Sequence, residues 1–153
     1  MNELFCYGTL CAPEIMRAVI GRVPPSRGAV LHSFACYRVS GKAYPAVVPD
    51  QVSSTAGLLY FGLAESELKK LDAYEGAEYL RQRQPINAAP DQQPVQAWVY
   101  VIHPLCRARL SRTVWTAVLP QSGDLKNLTQ TTAWMQEVEQ CKEQLPRRQG
   151  AER

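Results

Sequence analysis

The run Thr55-Ala56-Gly57-Leu58-Leu59-Tyr60-Phe61 is almost continuously apolar and ends at Gly62. A short run of this kind, bounded by glycine, reads as a strand buried on both faces. Other extended stretches surround it. Glu3 to Tyr7 is a short strand of aromatic and Cys residues, and Gly28 to Val39 is a long one rich in β-branched and aromatic residues. Ser40-Gly41-Lys42 makes a turn, and Ala43 to Val48 is a short extended piece in which Pro45 argues for an edge or irregular strand. Pro49-Asp50 is expected to open a loop. Glu78 to Asn87 and Val95 to Ile102 read as strands joined by a turn that contains Pro and Asp.

Helical spacing is rarer. Ile15, Ala18 and Val19 place a helix over Glu14 to Ile20, with Pro13 suited to its first turn and Gly21 to its stop. A second helix is expected over Glu65 to Glu75, although Ala64 is a poor N-cap. Leu110 to Leu119 is ambiguous, with strand as one reading. Leu125, Leu128, Met135, Val138 and Leu145 give Asp124 to Leu145 an amphipathic helical pattern. Strands outnumber helices and do not alternate with them regularly. This predicts an α+β fold with a mixed, mostly antiparallel sheet that can close into a barrel. One domain is expected over 1–145, with its core at about 3–102 and a polar tail at 146–153.

Composition removes several function classes. A chain of 153 residues, 46% hydrophobic and 20% charged, suits one soluble domain with a real core. A net charge of +3 is small and scattered, which argues against a nucleic-acid partner. Arg147, Arg148 and Arg153 sit among polar and acidic residues, as in a solvated tail. Met1 to Leu10 has no basic leader, and its apolar run is too short for a signal peptide. No segment approaches membrane-spanning length, so a cytoplasmic location is expected. The five cysteines (Cys6, Cys11, Cys36, Cys106, Cys141) show no framework spacing and read as free thiols.

The candidate chemistry starts at Glu75. Leu68, Leu71 and Glu75 share one face of the second helix, and Gly76 follows as its stop. If that face packs inward, Glu75 is a carboxylate near the core at the negative end of a helix. Both features oppose ionisation and raise its pKa, which suits a group that exchanges protons near neutral pH. The competing reading is a last-turn Glu that frays into solvent, and the pattern alone does not separate the two.

Leu4-Phe5-Cys6-Tyr7-Gly8-Thr9-Leu10 is the other informative stretch. A strand that runs into a Gly turn and then a helix leaves backbone N–H groups for an anion. It lacks the extra glycines of a dinucleotide fingerprint and the Gly-Lys pair of a phosphate loop, so a small carboxylate fits better. Tyr79 and Arg81 lie two apart on a strand. Tyr79 has a hydroxyl to offer, while Arg81 reads more simply as an exposed cross-strand residue. Cysteine catalysis finds no support, because His32 and His103 are the only histidines and neither sits beside a thiol in a suitable element. No metal-ligand spacing is visible. Trp98, Trp115 and Trp134 read as core or rim.

Together these stretches resemble a known family. Tyr7-Gly8-Thr9-Leu10, followed by Tyr74-Glu75-Gly76 and Tyr79-Leu80-Arg81, resembles the gamma-glutamylcyclotransferase-like proteins, especially the plant avirulence-induced and gamma-glutamylamine cyclotransferase groups. Tyr37-Arg38-Val39, Tyr44-Pro45-Ala46 and Pro49-Asp50 resemble the intervening part of the plant-type members. The resemblance covers roughly residues 3–102. It implies a small mixed barrel with flanking helices, a gamma-glutamyl substrate and no cofactor or metal. The implied reaction releases 5-oxoproline when the substrate's α-amine attacks its own side-chain amide. Tyr7, Gly8, Thr9 and Leu10 would bind the gamma-glutamyl group, Glu75 would move the protons, and Tyr79 would line the pocket. Glu78 lies beyond Gly76, off the helical face, and is expected to face solvent. The alternative is a member of the same fold that binds a small metabolite or a protein without catalysis. The amine side of the substrate and the oligomeric state are left open.

Overall fold

The computed structural model describes residues 1–88 and 93–115. In chain order these form β1 (Asn2–Cys6), a 3-10 turn (Thr9–Cys11), α1 (Pro13–Ile20), β2 (Ser26–Val39) and β3 (Pro45–Leu63). Then come α2 (Glu65–Glu75), β4 (Tyr79–Ala88), β5 (Pro94–Ile102), a second 3-10 turn (Pro104–Arg109) and β6 (Leu110–Val114). The expected helix over Asp124 to Leu145, the tail, Trp134 and Cys141 lie outside the described residues, as does the later part of Leu110 to Leu119.

The pairings form a ring. β1 runs antiparallel to β3, β3 to β2, β2 to β4, and β4 to β5. β5 returns to β1 in parallel, Leu4 opposite Trp98 and Phe5 opposite Val99, which closes the ring into a mixed barrel. β6 adds to the outside of β2. The fold is therefore the α+β barrel with flanking helices that the strand pattern and the resemblance implied.

The apolar run that opened the argument sits in β3, and its two faces go to two cores. Leu59 points into the barrel beside Phe5, Leu31, Val47, Ile86 and Val99. Its neighbours Leu58 and Tyr60 point outward, where Leu63, Leu68 and Leu71 join Ile15 and Met16 of α1. β1 alternates the same way, with Phe5 and Tyr7 inside and Leu4 and Cys6 under the helices. Each strand here is buried on both faces, which is why neither reads as a clean polar-apolar alternation.

Two expectations need correction. Pro49-Asp50 opens no loop, because β3 is a single strand from Pro45 to Leu63. Pro49 pairs opposite Phe34, next to a register shift between His32 and Phe34. Ser33 takes a positive φ of 66° there. A bulge is one of the places where a strand tolerates proline. The start of α2 is also better fixed than Ala64 suggested. The Glu67 carboxylate accepts the Ala64 N–H at 2.9 Å, and Glu67 N–H donates to the Ala64 carbonyl at 3.0 Å. Arg22 then grips the same carboxylate at 2.7 and 2.8 Å, tying the loop after α1 to the start of α2.

Other readings hold. Pro13 occupies the first turn of α1, and Gly21 ends that helix at φ 86° with its N–H on the Arg17 carbonyl. Cys6, Cys11 and Cys36 are free and buried, and Cys106 is free and half-buried. Among the described residues no helix is long and apolar enough to cross a membrane.

Candidate active site

β1 delivers Tyr7 to the end of the barrel, and the chain turns there through Gly8 into the 3-10 turn. The first bond inside that turn runs from Cys11 N–H to the Gly8 carbonyl at 3.1 Å. The N–H groups of Thr9 and Leu10 therefore precede the helical ladder. Gly8 has an ordinary negative φ of −118°, so its need for glycine is steric. A Cβ on Gly8 would stand 3.0 Å from the Pro45 ring. Pro45 is held in turn by Tyr79, whose hydroxyl donates to the Pro45 carbonyl at 2.6 Å.

α2 reaches the same place from the helical layer that packs against the outer face of β1. Leu68 and Leu71 are fully buried and anchor its inner face. Glu75, the last residue of α2, is half-buried and lines the pocket. Gly76 has φ 79° and ψ −167°, an extended backbone with positive φ that only glycine adopts freely. It differs from the left-handed helical stop expected there, but it turns the chain at the same residue. Its N–H donates to the Asp72 carbonyl at 3.0 Å, which closes the final turn behind Glu75.

The result is one pocket of about 350 Å³, measured with its open mouth. Tyr7, Gly8, Thr9, Leu10, Glu75 and Tyr79, all singled out from sequence, line it together. Phe5, Cys6, Tyr44, Pro45 and Tyr100 complete the lining. Glu75 is the only ionisable acid or base of the Asp, Glu, Lys, Arg and His type among these described residues. Tyrosine hydroxyls surround it, each committed to a neighbour. Tyr7 donates to the Tyr100 carbonyl and accepts from Val47 N–H. Thr9 Oγ1 and the Tyr74 hydroxyl share a hydrogen bond of 3.0 Å, which joins the loop to α2 directly.

Burial pushes the phenols of Tyr7, Tyr79 and Tyr100 well up, and the Glu75 charge adds to the rise in all three. They stay neutral and serve as hydrogen-bond partners. The thiols behave alike. Burial raises Cys6 well above the usual range, and holds Cys11 and Cys36 at about 12. Protonated buried thiols are poor nucleophiles.

Two residues depart from expectation. Glu78 does not face solvent. It is 9% exposed, its Oε1 accepts from the Tyr44 hydroxyl at 3.0 Å, and its Oε2 pairs with Arg109 at 3.4 Å. The turn at Gly76 brings it back toward partners that are remote in sequence, which no local period reveals. Arg81 is no exposed cross-strand residue either. It makes a forked pair with Asp72 at 2.8 and 3.2 Å and lies over the Trp98 ring at 4.2 Å. Tyr100 was not read from sequence at all. The signal lay in the register, because β4 and β5 place it opposite Arg81.

The family model for Gamma-glutamyl cyclotransferase, AIG2-like, matches residues 4–126. The chain belongs to this family. AIG2-like protein C of Arabidopsis thaliana is 34% identical over 99 residues, 65% of this chain and 58% of that protein. The chain thus spans less than two thirds of the length of the curated relatives it matches. A solved Arabidopsis thaliana protein superposes with a TM-score of 0.66 at 23% identity, covering 91% of this chain and 78% of that one. A yeast gamma-glutamyl cyclotransferase specific to glutathione superposes at 0.58 with 12% identity, covering 97% and 90%. At such identities the likeness establishes the AIG2-like barrel fold.

Proposed function

We propose that this AIG2-like protein is a gamma-glutamyl cyclotransferase that releases 5-oxoproline from a gamma-glutamyl amine or gamma-glutamyl amino acid. One observation carries the reading. The Tyr7 to Leu10 loop and Glu75, far apart in sequence, line a single pocket in which Glu75 is the charged group.

The chemistry follows from that pairing. The substrate's α-ammonium is drawn to Glu75, while its α-carboxylate meets the N–H groups of the Gly8 turn. Glu75 takes a proton from the ammonium, and the freed amine attacks the γ-carbonyl carbon. A new C–N bond closes the five-membered ring, and the bond to the outer amine breaks. Two protons leave the attacking nitrogen and two reach the departing nitrogen, so Glu75 ends as the carboxylate it was. Ring closure is intramolecular, and orientation in the pocket supplies much of the rate. The neutral tyrosines around the site hydrogen-bond without competing as bases.

The test is 5-oxoproline release from a panel of gamma-glutamyl amines and amino acids, comparing wild type with Glu75→Gln. We expect the substitution to lower the rate by about two to four orders of magnitude. Equal rates in both proteins would remove Glu75 from the reaction. A well-folded wild type that turns over no member of the panel would favour a non-catalytic binder on the same fold.

A further inference from the structure

Asp72 sits one helical turn before Glu75 and belongs to a compact network. The Tyr100 hydroxyl donates to its Oδ1 at 2.7 Å. Arg81 forks onto both of its carboxylate oxygens from β4, at 2.8 and 3.2 Å. The Arg81 guanidinium is fixed in turn by stacking over Trp98, where Arg83 also lies at 4.7 Å. Residues three apart on a helix share a face, so whatever fixes Asp72 fixes the turn that presents Glu75. The Asp72 carbonyl also receives the Gly76 N–H that closes this turn.

Tyr100 does more than reach Asp72. Its ring lines the pocket, and its own carbonyl accepts the Tyr7 hydroxyl. A single residue of β5 therefore holds the loop side of the pocket through its backbone and the Glu75 side through its hydroxyl. Tyr100 is half-exposed nowhere: it is 5% exposed in total. A hydrogen bond from a buried phenol to a carboxylate is directional, even where the carboxylate, as at Asp72, is 28% exposed.

We propose that Asp72, clamped between Tyr100 and Arg81, is a positioning residue that sets the Glu75 carboxylate over the pocket, with Tyr100 as the strut between the two halves of the site. The inference rests on the proposed cyclotransferase reaction for its kinetic consequence, but its structural content stands apart from that reaction. Asp72 acts on Glu75 through the last turn of α2, while Tyr7 is held by the Tyr100 backbone carbonyl rather than by the hydroxyl that meets Asp72. Loss of Asp72 should therefore degrade the placement of the base, and leave intact the Gly8 turn that holds the substrate.

Tyr100→Phe and Asp72→Asn test this with two readouts. For Tyr100→Phe, which keeps the ring and loses only the donor, kcat is expected to fall between about tenfold and a hundredfold, with KM within about twofold. Asp72→Asn, which also weakens the hold of Arg81, is expected to fall at least as far. The second readout is the side-chain carboxyl ¹³C signal of Glu75 in glutamate-labelled protein, assigned by its loss in Glu75→Gln. In both variants this signal should shift or broaden. An unchanged kcat, or a rise in KM that accounts for the loss, would overturn the positioning role. So would an unmoved Glu75 signal in folded variants. If the wild type releases no 5-oxoproline, the reading of the reaction fails by itself, and the carbon signal alone decides whether the clamp holds Glu75.

Discussion

At the scale of single residues, the site depends on two glycines for different reasons. Gly8 is small because the Pro45 ring stands where a Cβ would go. Gly76 is flexible because its φ of 79° with ψ −167° suits no side chain. Gly76→Ala should therefore cost about 1–3 kcal/mol, seen as a lower denaturant midpoint with an unchanged slope. It should also lower turnover, because the strain falls on the residue next to Glu75. A variant with wild-type stability would show that the turn relaxes freely. The tyrosines make the complementary point. Glu75 is placed among Tyr7, Tyr79 and Tyr100, whose phenols burial keeps neutral, so the charge in this pocket is concentrated on one side chain.

At the scale of elements, α2 is held at both ends by acidic side chains. Asp72 ties its last turn to β4 and β5, and Glu67 ties its first turn to Ala64 and Arg22. The hydrogen bond from Arg22 lowers Glu67 from 4.5 to about 2. A depressed folded pKa contributes stability above the unfolded value, and that contribution is lost as pH falls from about 4.5 to about 2. Thermal melts across that window should fall more steeply for wild type than for Glu67→Gln, which has no charge to titrate there. Parallel curves would deny Glu67 a role in acid sensitivity. The effect is modest, because Arg22 is 44% exposed and solvent screens the pair.

The elements also show where sequence reading works. Segments with a local signal were legible: the two described helices by their period, β1, β4 and β5 as extended runs, and the glycine that ends α2. The loop and Glu75 were legible as parts, and the resemblance put them together. What stayed hidden depends on contacts between remote residues. Pro49 looks like a loop former until the bulge at Ser33 accommodates it. Glu78 looks solvated until Tyr44 and Arg109 arrive. Arg81 looks like an exposed cross-strand residue until Asp72 and Trp98 engage it.

At the scale of the whole molecule, closure of the barrel is the organising event, and Gly57 marks how tight it is. A Cβ there would lie 2.2 Å from the Cys6 carbonyl and 2.7 Å from the Phe5 ring. Backbone cannot yield as a side-chain tip can. Gly57→Ala is expected to cost about 3 kcal/mol and to lower Tm by roughly 10 °C. A calorimetric scan that finds Tm within a degree or two of wild type would show that β1 can shift outward without loss.

The parallel contact of Leu4 with Trp98 and Phe5 with Val99 joins the first strand to one formed much later in the chain. Pairings so far apart in sequence carry the largest loop-closure entropy, and they slow folding. β4 and β5, joined by a short connection, can pair early, and the β2–β3 hairpin likewise. β1 pairs with β3 and β5, both far from it in sequence, so its docking is expected to follow those hairpins. Tyr7 travels with β1, while Tyr100 and the clamp on α2 belong to the part already assembled. Until β1 docks, Tyr7 is not beside Tyr100 and the pocket lacks the lining that β1 and its turn bring. The pocket is complete only once β1 has docked.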